Sequence, residues 1–115
     1  MIELTLPYPP SLNHLYRHVG GRTMLSREGR KYRAQVGEIL AGIGSPTLQG
    51  RLALDVEVYA PDNKRRDLDN LPKNLQDALQ QAGLFADDSQ IDSLSMRRKG
   101  ITPGGAVIVR VEELE

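Results

Sequence analysis

The sequence predicts an α+β fold in which two helices pack against a small mixed sheet of about four strands, within one domain spanning residues 1–115. Two stretches repeat apolar residues with the helical period of about 3.6, and others alternate apolar with polar residues as strands do. They occur in the order strand, helix, strand, helix, strand, strand. With 39% apolar and 26% charged residues among 115, the composition is that of an ordinary globular domain. So small a domain buries only part of the surface of its unfolded chain, and pairing as a homodimer would stabilise it.

The first predicted strand lies at the amino terminus. Apolar and polar side chains alternate over residues 2–6, which is the pattern of a strand with one buried face. Prolines at positions 7, 9 and 10 end this strand, because proline cannot donate a ladder hydrogen bond. A loop is expected from Ser11 to Arg22.

The first predicted helix begins after Ser26, whose hydroxyl is suited to cap it. An apolar stripe follows at helical spacing: Tyr32, Val36, Ile39, Leu40 and Ile43. Gly42, Gly44 and Pro46 are expected to end the helix. The face roughly opposite Tyr32 is cationic and carries Arg27, Arg30 and Lys31. The helix is therefore predicted to bury one face and to present a basic one.

The second half of the chain contains three predicted strands and one helix. Apolar and polar residues alternate clearly over residues 52–59, which form the first of these strands. The helix tolerates Pro72 in its first turn and ends before Gly83. Its shared apolar face consists of Leu71, Leu75, Ala78, Leu79 and Ala82. The last two strands, Ile91–Arg98 and Ala106–Glu113, are predicted to be joined by a hairpin turn over residues 102–105.

The absence of cysteine excludes several classes of site. A disulfide scaffold, a thiolate zinc site and a cysteine nucleophile all require that residue, and its absence favours a reducing compartment. No apolar run approaches the roughly 20 residues that cross a bilayer, and residues 1–10 lack the basic start and apolar core of a signal peptide. We therefore expect a cytoplasmic protein that does not associate with a membrane.

Carboxylates are concentrated around the second helix. Asp67 and Asp69 lie two residues apart and point the same way if the chain is extended there. The segment after the helix returns toward the sheet, so either Asp87 or Asp88 could add a third carboxylate. Such an all-oxygen pocket suits Mg²⁺ or Mn²⁺. The alternative interpretation is structural: Asp69 caps the helix, and Asp87-Asp88 is a polar loop before a strand.

Basic residues accompany these carboxylates. Arg65 and Arg66 immediately precede them, and Lys73 lies one turn inside the helix. Lys73 shares a polar helix face with Asp69, so its ammonium is expected near the carboxylates. The alternative is an ordinary ion pair of Lys73 with Asp69 or Asp77, which contributes about 0.3–0.5 kcal/mol.

The zero formal net charge argues against a uniformly basic surface. The charges are nevertheless unevenly distributed along the chain, because basic clusters at residues 17–33, 64–66 and 97–99 flank an acidic region at 67–92. A charge cluster is commonly just a solvated surface, but three around one acidic region favour a phosphate-binding rim. The candidate DNA-binding residues are Arg17, Arg22, Arg27, Arg30, Lys31, Arg65, Arg66 and Lys73. His14 and His18 lack a partner acid and are interpreted as surface or DNA-contacting residues rather than metal ligands.

Several segments together resemble one protein family over nearly the whole chain, namely the RusA Holliday junction resolvases. The central segments are Arg66-Asp67-Leu68-Asp69-Asn70-Leu71 with Lys73, Asp77-Ala78-Leu79, Ala82-Gly83 and Asp87-Asp88. The amino-terminal ones are Pro9-Pro10-Ser11, Asn13, Tyr16-Arg17-His18, Gly21-Arg22-Thr23, and Ser26 with Gly29. The turn from Lys99 to Gly105 is similar as well. Pro72 and the pair Leu75-Gln76 depart from the family pattern, and they affect how Lys73 is presented.

The resemblance implies a small homodimeric endonuclease that depends on Mg²⁺, with Mn²⁺ as a substitute, and nicks four-way DNA junctions symmetrically in recombination and repair. Carried over by position, the three metal-holding acids are Asp67, Asp69 and Asp88, with Asp87 as the other candidate for the third. The catalytic lysine is Lys73, and Arg66 also occupies a functionally important position. A preference for cutting beside CC dinucleotides is implied too, although no residue here explains it.

Two other functions are compatible with the same residues. One is a DNA-binding accessory protein without catalytic activity, in which the acidic residues are structural. The other is a metal-dependent nuclease that acts on flaps, other branched DNA or RNA. Cleavage of defined substrates with and without a divalent metal distinguishes these functions.

Overall fold

The computed structural model describes residues 1–11 and 16–114. In chain order its elements are β1 (Ile2–Leu6), β2 (Tyr16–Val19), β3 (Arg22–Leu25), α1 (Arg27–Ile43), β4 (Arg51–Ala60), α2 (Pro72–Gln81), β5 (Ile91–Ile101) and β6 (Ala106–Leu114). Short 3₁₀ turns flank α2 at Leu68–Asn70 and Asp88–Gln90. Two helices and a mixed four-stranded sheet confirm the predicted α+β fold.

The main sheet has the strand order β1-β6-β4-β5. Strand β6 is antiparallel to β1 and β4, whereas β5 is parallel to β4. The predicted hairpin between the last two strands is therefore wrong, because β4 lies between them. The turn does form, since the Gly105 N–H donates to the Thr102 carbonyl at 2.8 Å, but it carries the chain across the end of β4. Because β4, the most apolar strand, lies in the interior of the sheet, it is hydrogen-bonded to a neighbouring strand along both of its edges.

One face of the sheet carries the core. Along β4 the side chains at positions 52, 54, 56 and 58 are at most 2% exposed and lie on the face that the helices cover. The opposite face is polar and carries ion pairs from Arg110 to Glu3 (2.9 Å) and Glu57 (3.0 Å). The Arg110 guanidinium holds the pKa of Glu57 below its usual range. The helices and the segments beside them therefore lie on one side of the sheet only.

Helix α1 follows its prediction closely. The Gly29 N–H donates to the Ser26 hydroxyl at 3.0 Å, which confirms the predicted cap. Tyr32 is 4% exposed, donates its hydroxyl to the Pro7 carbonyl at 3.0 Å, and has a pKa raised by burial. Gly44 ends the helix with a φ of 71°, a conformation that favours glycine. Within the described residues neither helix is long and apolar enough to cross a membrane.

The loop predicted from Ser11 to Arg22 is wrong over its second half. Strands β2 and β3 form a two-stranded antiparallel hairpin that is separate from the main sheet. Gly20 and Gly21 adopt φ values of 56° and 76° at its turn, as the favoured two-residue hairpin turn requires. Residues 17–24 are all exposed, so over these positions the hairpin has no buried face that an apolar alternation could have signalled.

Candidate active site

A cleft opens where β4 and β5 end, between the loop around Tyr8 and the segment that leads into α2. It consists of two adjoining cavities of about 620 and 600 Å³. Both are lined by Tyr8, Lys64, Arg65, Arg66, Asp67 and Leu71. The larger one also includes Arg98 and Lys99 from β5. We call this the basic cleft, after the cations Lys64, Arg65, Arg66 and Arg98; the Lys99 ammonium lies 3.6 Å from the Glu57 carboxylate of the opposite face.

Arg66 occupies the middle of the basic cleft. Its guanidinium donates to the Asp62 carboxylate at 2.6 Å and lies 5.8 Å from the centre of the Tyr8 ring, within cation–π range. This hydrogen bond and one from the Lys64 N–H at 2.9 Å lower the pKa of Asp62 to about 2. Asp62 therefore stays ionised and fixes the direction of the Arg66 side chain, while Lys64 and Arg65 remain exposed.

Arg98 joins β5 to the segment before α2. Its guanidinium donates to the Arg66 carbonyl. The neighbouring Arg97 faces the other side of the sheet and pairs with Asp55 at 2.9 Å, as the alternation of a strand requires. The predicted basic cluster at residues 97–99 therefore divides between two faces.

Asp67 and Asp69 lie on the two sides of a change in backbone conformation. Asp67 is extended (φ −92°, ψ 132°) and lines the basic cleft. The chain then enters the 3₁₀ turn Leu68–Asn70, so the extended backbone on which the shared direction depended ends at Asp67. Among the described residues that line the cleft, the carboxylates are Asp62 and Asp67. Asp69 is exposed outside the cleft lining.

Lys73 forms an ion pair with Asp77, which is one of the two ordinary ion pairs that the sequence allowed as an alternative. Its ammonium lies 3.1 Å from the Asp77 carboxylate, one helical turn further along α2. Asp77 is only 17% exposed and also lies 4.0 Å from the Arg33 guanidinium of α1. Arg33 in turn donates to the Gln81 side chain at 2.5 Å. The Lys73 side chain itself is 60% exposed, so its ammonium is accessible beside the start of α2.

The two carboxylates after α2 have different surroundings. Asp87 caps the 3₁₀ turn, where its side chain accepts from the Ser89 N–H at 2.9 Å and its own N–H donates to Gln90. The Ser89 hydrogen bonds lower the pKa of Asp87. The Asp88 N–H donates to Gln80 in the last turn of α2 at 3.1 Å. Asp88 therefore lies beside the end of α2, whereas Asp69 precedes its start. The ten residues of the helix between them are about 15 Å long, so the backbones of the two residues are at opposite ends of α2.

Within residues 1–11 and 16–114, no three Asp, Glu, His or Cys side chains come together in a group that could hold a metal ion. The carboxylate oxygens of Asp67, Asp69 and Asp88 have the chemistry that Mg²⁺ prefers. Their placement in the described part of the chain does not fit a three-ligand site, so this ligand set stays a prediction. His14 lies outside the described residues, and His18 shares a 3.1 Å hydrogen bond with Thr23 in the hairpin.

The remaining candidate cations lie away from the cleft lining. Arg17 and Arg22 are on the exposed hairpin, and the other three lie in the first turns of α1: Arg27, Arg30 and Lys31. Arg30 donates to the Leu25 carbonyl at 2.8 Å and so braces the base of the hairpin. The basic cluster at 17–33 is therefore a surface of its own.

Sequence reasoning missed two residues that shape this region. Tyr8 packs beneath Arg66 although 58 positions separate them in the numbering, and an aromatic residue among prolines was the only available signal. Asn74 is 2% exposed and donates its side-chain amide to the Pro10 carbonyl. This contact fixes the proline loop to α2 beside Lys73. Both contacts are tertiary and have no local pattern.

Replacing Arg66 by Ala is expected to raise the pKa of Asp62 from about 2 toward the ordinary aspartate value of about 3.9, because the strongest hydrogen bond to that carboxylate is removed. A lowered pKa in the folded state adds stability above the ordinary pKa, and that stability is lost as the pH falls toward 2. Arg66→Ala should therefore weaken the acid dependence of unfolding. Carboxyl NMR titration measures the shift directly.

Arg65→Ala is the matched control, since Arg65 precedes Arg66 and is not the partner of Asp62. It is expected to leave the pKa of Asp62 at about 2. Equal pKa values for Asp62 in the two variants would contradict the assigned ion pair.

Comparison with known proteins gives a consistent result. A family model described as Endodeoxyribonuclease RusA matches residues 7–112. The "Crossover junction endodeoxyribonuclease rusA" of Enterobacteria phage 82 is 41% identical and covers 97% of this chain and 94% of its own. The protein of that name from Enterobacteria phage HK97 is 40% identical, covering 98% and 95%. That of Escherichia coli (strain K12) is 38% identical, covering 97% and 94%.

Proposed function

Because the chain belongs to the RusA family of endodeoxyribonucleases, we propose that it is a Holliday junction resolvase, which nicks the phosphodiester backbone of four-way DNA junctions in recombination and repair. The observation that carries this proposal beyond the family is the basic cleft. Four cations line it (Lys64, Arg65, Arg66 and Arg98) with two carboxylates, Asp62 and Asp67, and the charge of Asp62 is offset by Arg66. A groove of this charge attracts a polyanionic backbone and brings it against Asp67.

The cations of the cleft would position the DNA. Arg98 and Asp62 hold the Arg66 segment in place, so the exposed Lys64 and Arg65 present their charges from a fixed backbone. Guanidinium and ammonium groups that contact phosphates fix the register of a protein on DNA. Lys73, beside the start of α2, would stabilise the negative charge that develops at the phosphate or at the leaving oxygen.

We also propose that cleavage requires Mg²⁺, with Mn²⁺ able to replace it. The support is the chemistry of the donors rather than their grouping, since Asp67 and Asp69 beside the start of α2 offer carboxylate oxygens and the sequence contains no cysteine. The protein would work as a homodimer in the cytoplasm, because a two-fold symmetric dimer matches the symmetry of a junction and allows paired nicks.

The test uses the purified protein with labelled synthetic four-way junctions, linear duplex and single strands, each with Mg²⁺ or with EDTA. We expect paired nicks in the junction with Mg²⁺, none with EDTA, and no cleavage of linear duplex or single strands. Binding without cleavage under any divalent metal would show a non-catalytic accessory protein. Equal cleavage of every substrate would show a general nuclease. Sedimentation of the protein alone measures its mass in solution and so tests whether it is a dimer.

A further inference from the structure

The hairpin of β2 and β3 is a two-stranded ribbon whose residues 17–24 are not covered on either face. Its strands pair with each other and are not part of the main sheet. Every residue from 17 to 24 is exposed. Isolated two-stranded hairpins are marginally stable in water, and they gain stability when one face packs against something else. A ribbon of this kind is suited to bind a partner.

The pairing register gives the ribbon two different faces. Arg17 is opposite Met24, and Val19 is opposite Arg22, so these four side chains share one face. We call it the ribbon face. His18 is opposite Thr23 on the other face, where the two side chains hydrogen-bond to each other at 3.1 Å. The ribbon face therefore combines two guanidinium groups with two apolar side chains, and Val19 and Met24 are 44% and 47% exposed.

The charge of the ribbon identifies the chemistry of its partner. Residues 16–25 contain two arginines and no acidic residue, and the basic first turns of α1 follow directly. Resting on the proposed function, we propose that the ribbon face binds a groove of duplex DNA in an arm of the junction. Arg17 and Arg22 contact phosphates on the groove walls, and Val19 and Met24 contact sugars and base edges.

The size of the ribbon agrees with this partner. The two paired strands lie about 4.8 Å apart, so the backbone of the ribbon is narrower than a groove of DNA. The major groove of B-DNA is about 12 Å wide and admits a two-stranded ribbon. The hairpin would therefore fit in the groove without rearrangement of its backbone.

A short length of chain connects the base of the hairpin to the basic cleft. Ser11 lines the smaller cavity of that cleft, and Tyr16 follows it by five residue steps, which span at most about 18 Å. At its other end the hairpin runs into the cap of α1, where Arg30 binds the Leu25 carbonyl. A duplex arm whose backbone enters the cleft therefore comes within reach of the ribbon face.

Two double variants test the proposal in the full-length protein, with a labelled four-way junction, fluorescence anisotropy and EDTA to prevent cleavage. Arg17→Gln with Arg22→Gln is expected to lower junction affinity roughly tenfold. The slope of log affinity against log salt should also fall, by about 0.9 for each phosphate that the protein no longer neutralises. Val19→Ser with Met24→Ser is expected to lower affinity several-fold while leaving that slope unchanged, since no charge is removed.

Two control variants match these changes. Arg51→Gln removes an exposed arginine at the far end of β4, where its partner is Asp92. Thr23→Ser alters the opposite face of the same ribbon. Both are expected to bind the junction like the unmodified protein. Thermal unfolding of each variant checks that the fold is intact.

A second measurement does not depend on affinity. Because the chain has no cysteine, a Val19→Cys variant can carry a single iron–EDTA group. Bound to a junction, it is expected to cut the DNA within one duplex arm. The same group on a Gln49→Cys variant, which lies just before β4, is expected to leave the arms uncut.

The outcomes separate this proposal from the proposed function. If the unmodified protein binds and nicks junctions and both double variants bind equally well, the ribbon proposal is overturned and the function stands. If the unmodified protein binds no junction, both are overturned. If the variants change the sedimentation of the protein while DNA affinity and salt slope stay the same, the ribbon face is covered by a second copy of the chain and the proposal is overturned.

Discussion

Asp69→Asn is expected to abolish junction nicking, by at least about a thousandfold, while junction affinity stays close to that of the unmodified protein. The change keeps the size of the side chain but replaces an anionic carboxylate with a neutral amide, which binds a divalent cation more weakly. Asp69 is exposed on the 3₁₀ turn Leu68–Asn70, so its replacement should change the free energy of unfolding by no more than about 0.5 kcal/mol. Single-turnover nicking, anisotropy and thermal unfolding provide the three measurements.

Asp92→Asn is the matched control for this prediction. Asp92 is an exposed carboxylate at the start of β5, and its partner Arg51 lies on the neighbouring strand. Losing this exposed ion pair should cost little stability, and nicking should continue at the unmodified rate. Nicking by Asp69→Asn at near-normal rates would mean that Asp69 is not a metal ligand. A loss of junction binding by that variant would mean that the carboxylate acts in DNA contact or folding.

The parts of the fold that bury one face could be predicted from the sequence. Strand β4 and helix α1 each place apolar residues on the side that meets the core, and the predicted period is the one observed. The hairpin of β2 and β3 could not be predicted in this way, because residues 17–24 are exposed on both faces. Its one local signal was the glycine pair at positions 20 and 21. Strand order also required the structure, since nothing local shows that β4 lies between β5 and β6.

The candidate site was predicted in composition but not in arrangement. Asp67 is extended whereas Asp69 lies within a 3₁₀ turn, and the alternating spacing of two carboxylates does not reveal this change of backbone conformation. Lys73 pairs with Asp77 rather than Asp69 because α2 begins at Pro72, so Asp69 lies before the helix and has no helical relation to Lys73. The contact of Tyr8 with Arg66 joins segments that are distant in sequence. Each of these features depends on where an element begins or on which elements meet.

The second large effect is expected for Lys73→Ala, which should reduce nicking by about a hundredfold or more with the fold intact. Lys73 is 60% exposed, and its pair with Asp77 is a surface interaction worth roughly 0.3–0.5 kcal/mol. Its loss therefore changes thermal unfolding little. If the ammonium stabilises charge at the reacting phosphate, the rate of nicking falls while junction affinity changes much less. Unchanged nicking would leave Lys73 as an ordinary surface residue.

Asp77→Asn separates the ammonium from its ion pair. This variant removes the carboxylate that Lys73 and Arg33 share but leaves the Lys73 charge in place. If the ammonium itself acts on the phosphate, Asp77→Asn retains most of the nicking rate that Lys73→Ala loses. If both variants are equally defective, the rate depends on the position that Asp77 gives to Lys73, since the charge alone is then insufficient. A Lys73→Arg variant completes the comparison: it keeps the positive charge but replaces the compact ammonium with a planar guanidinium, so partial recovery would assign the remaining loss to geometry.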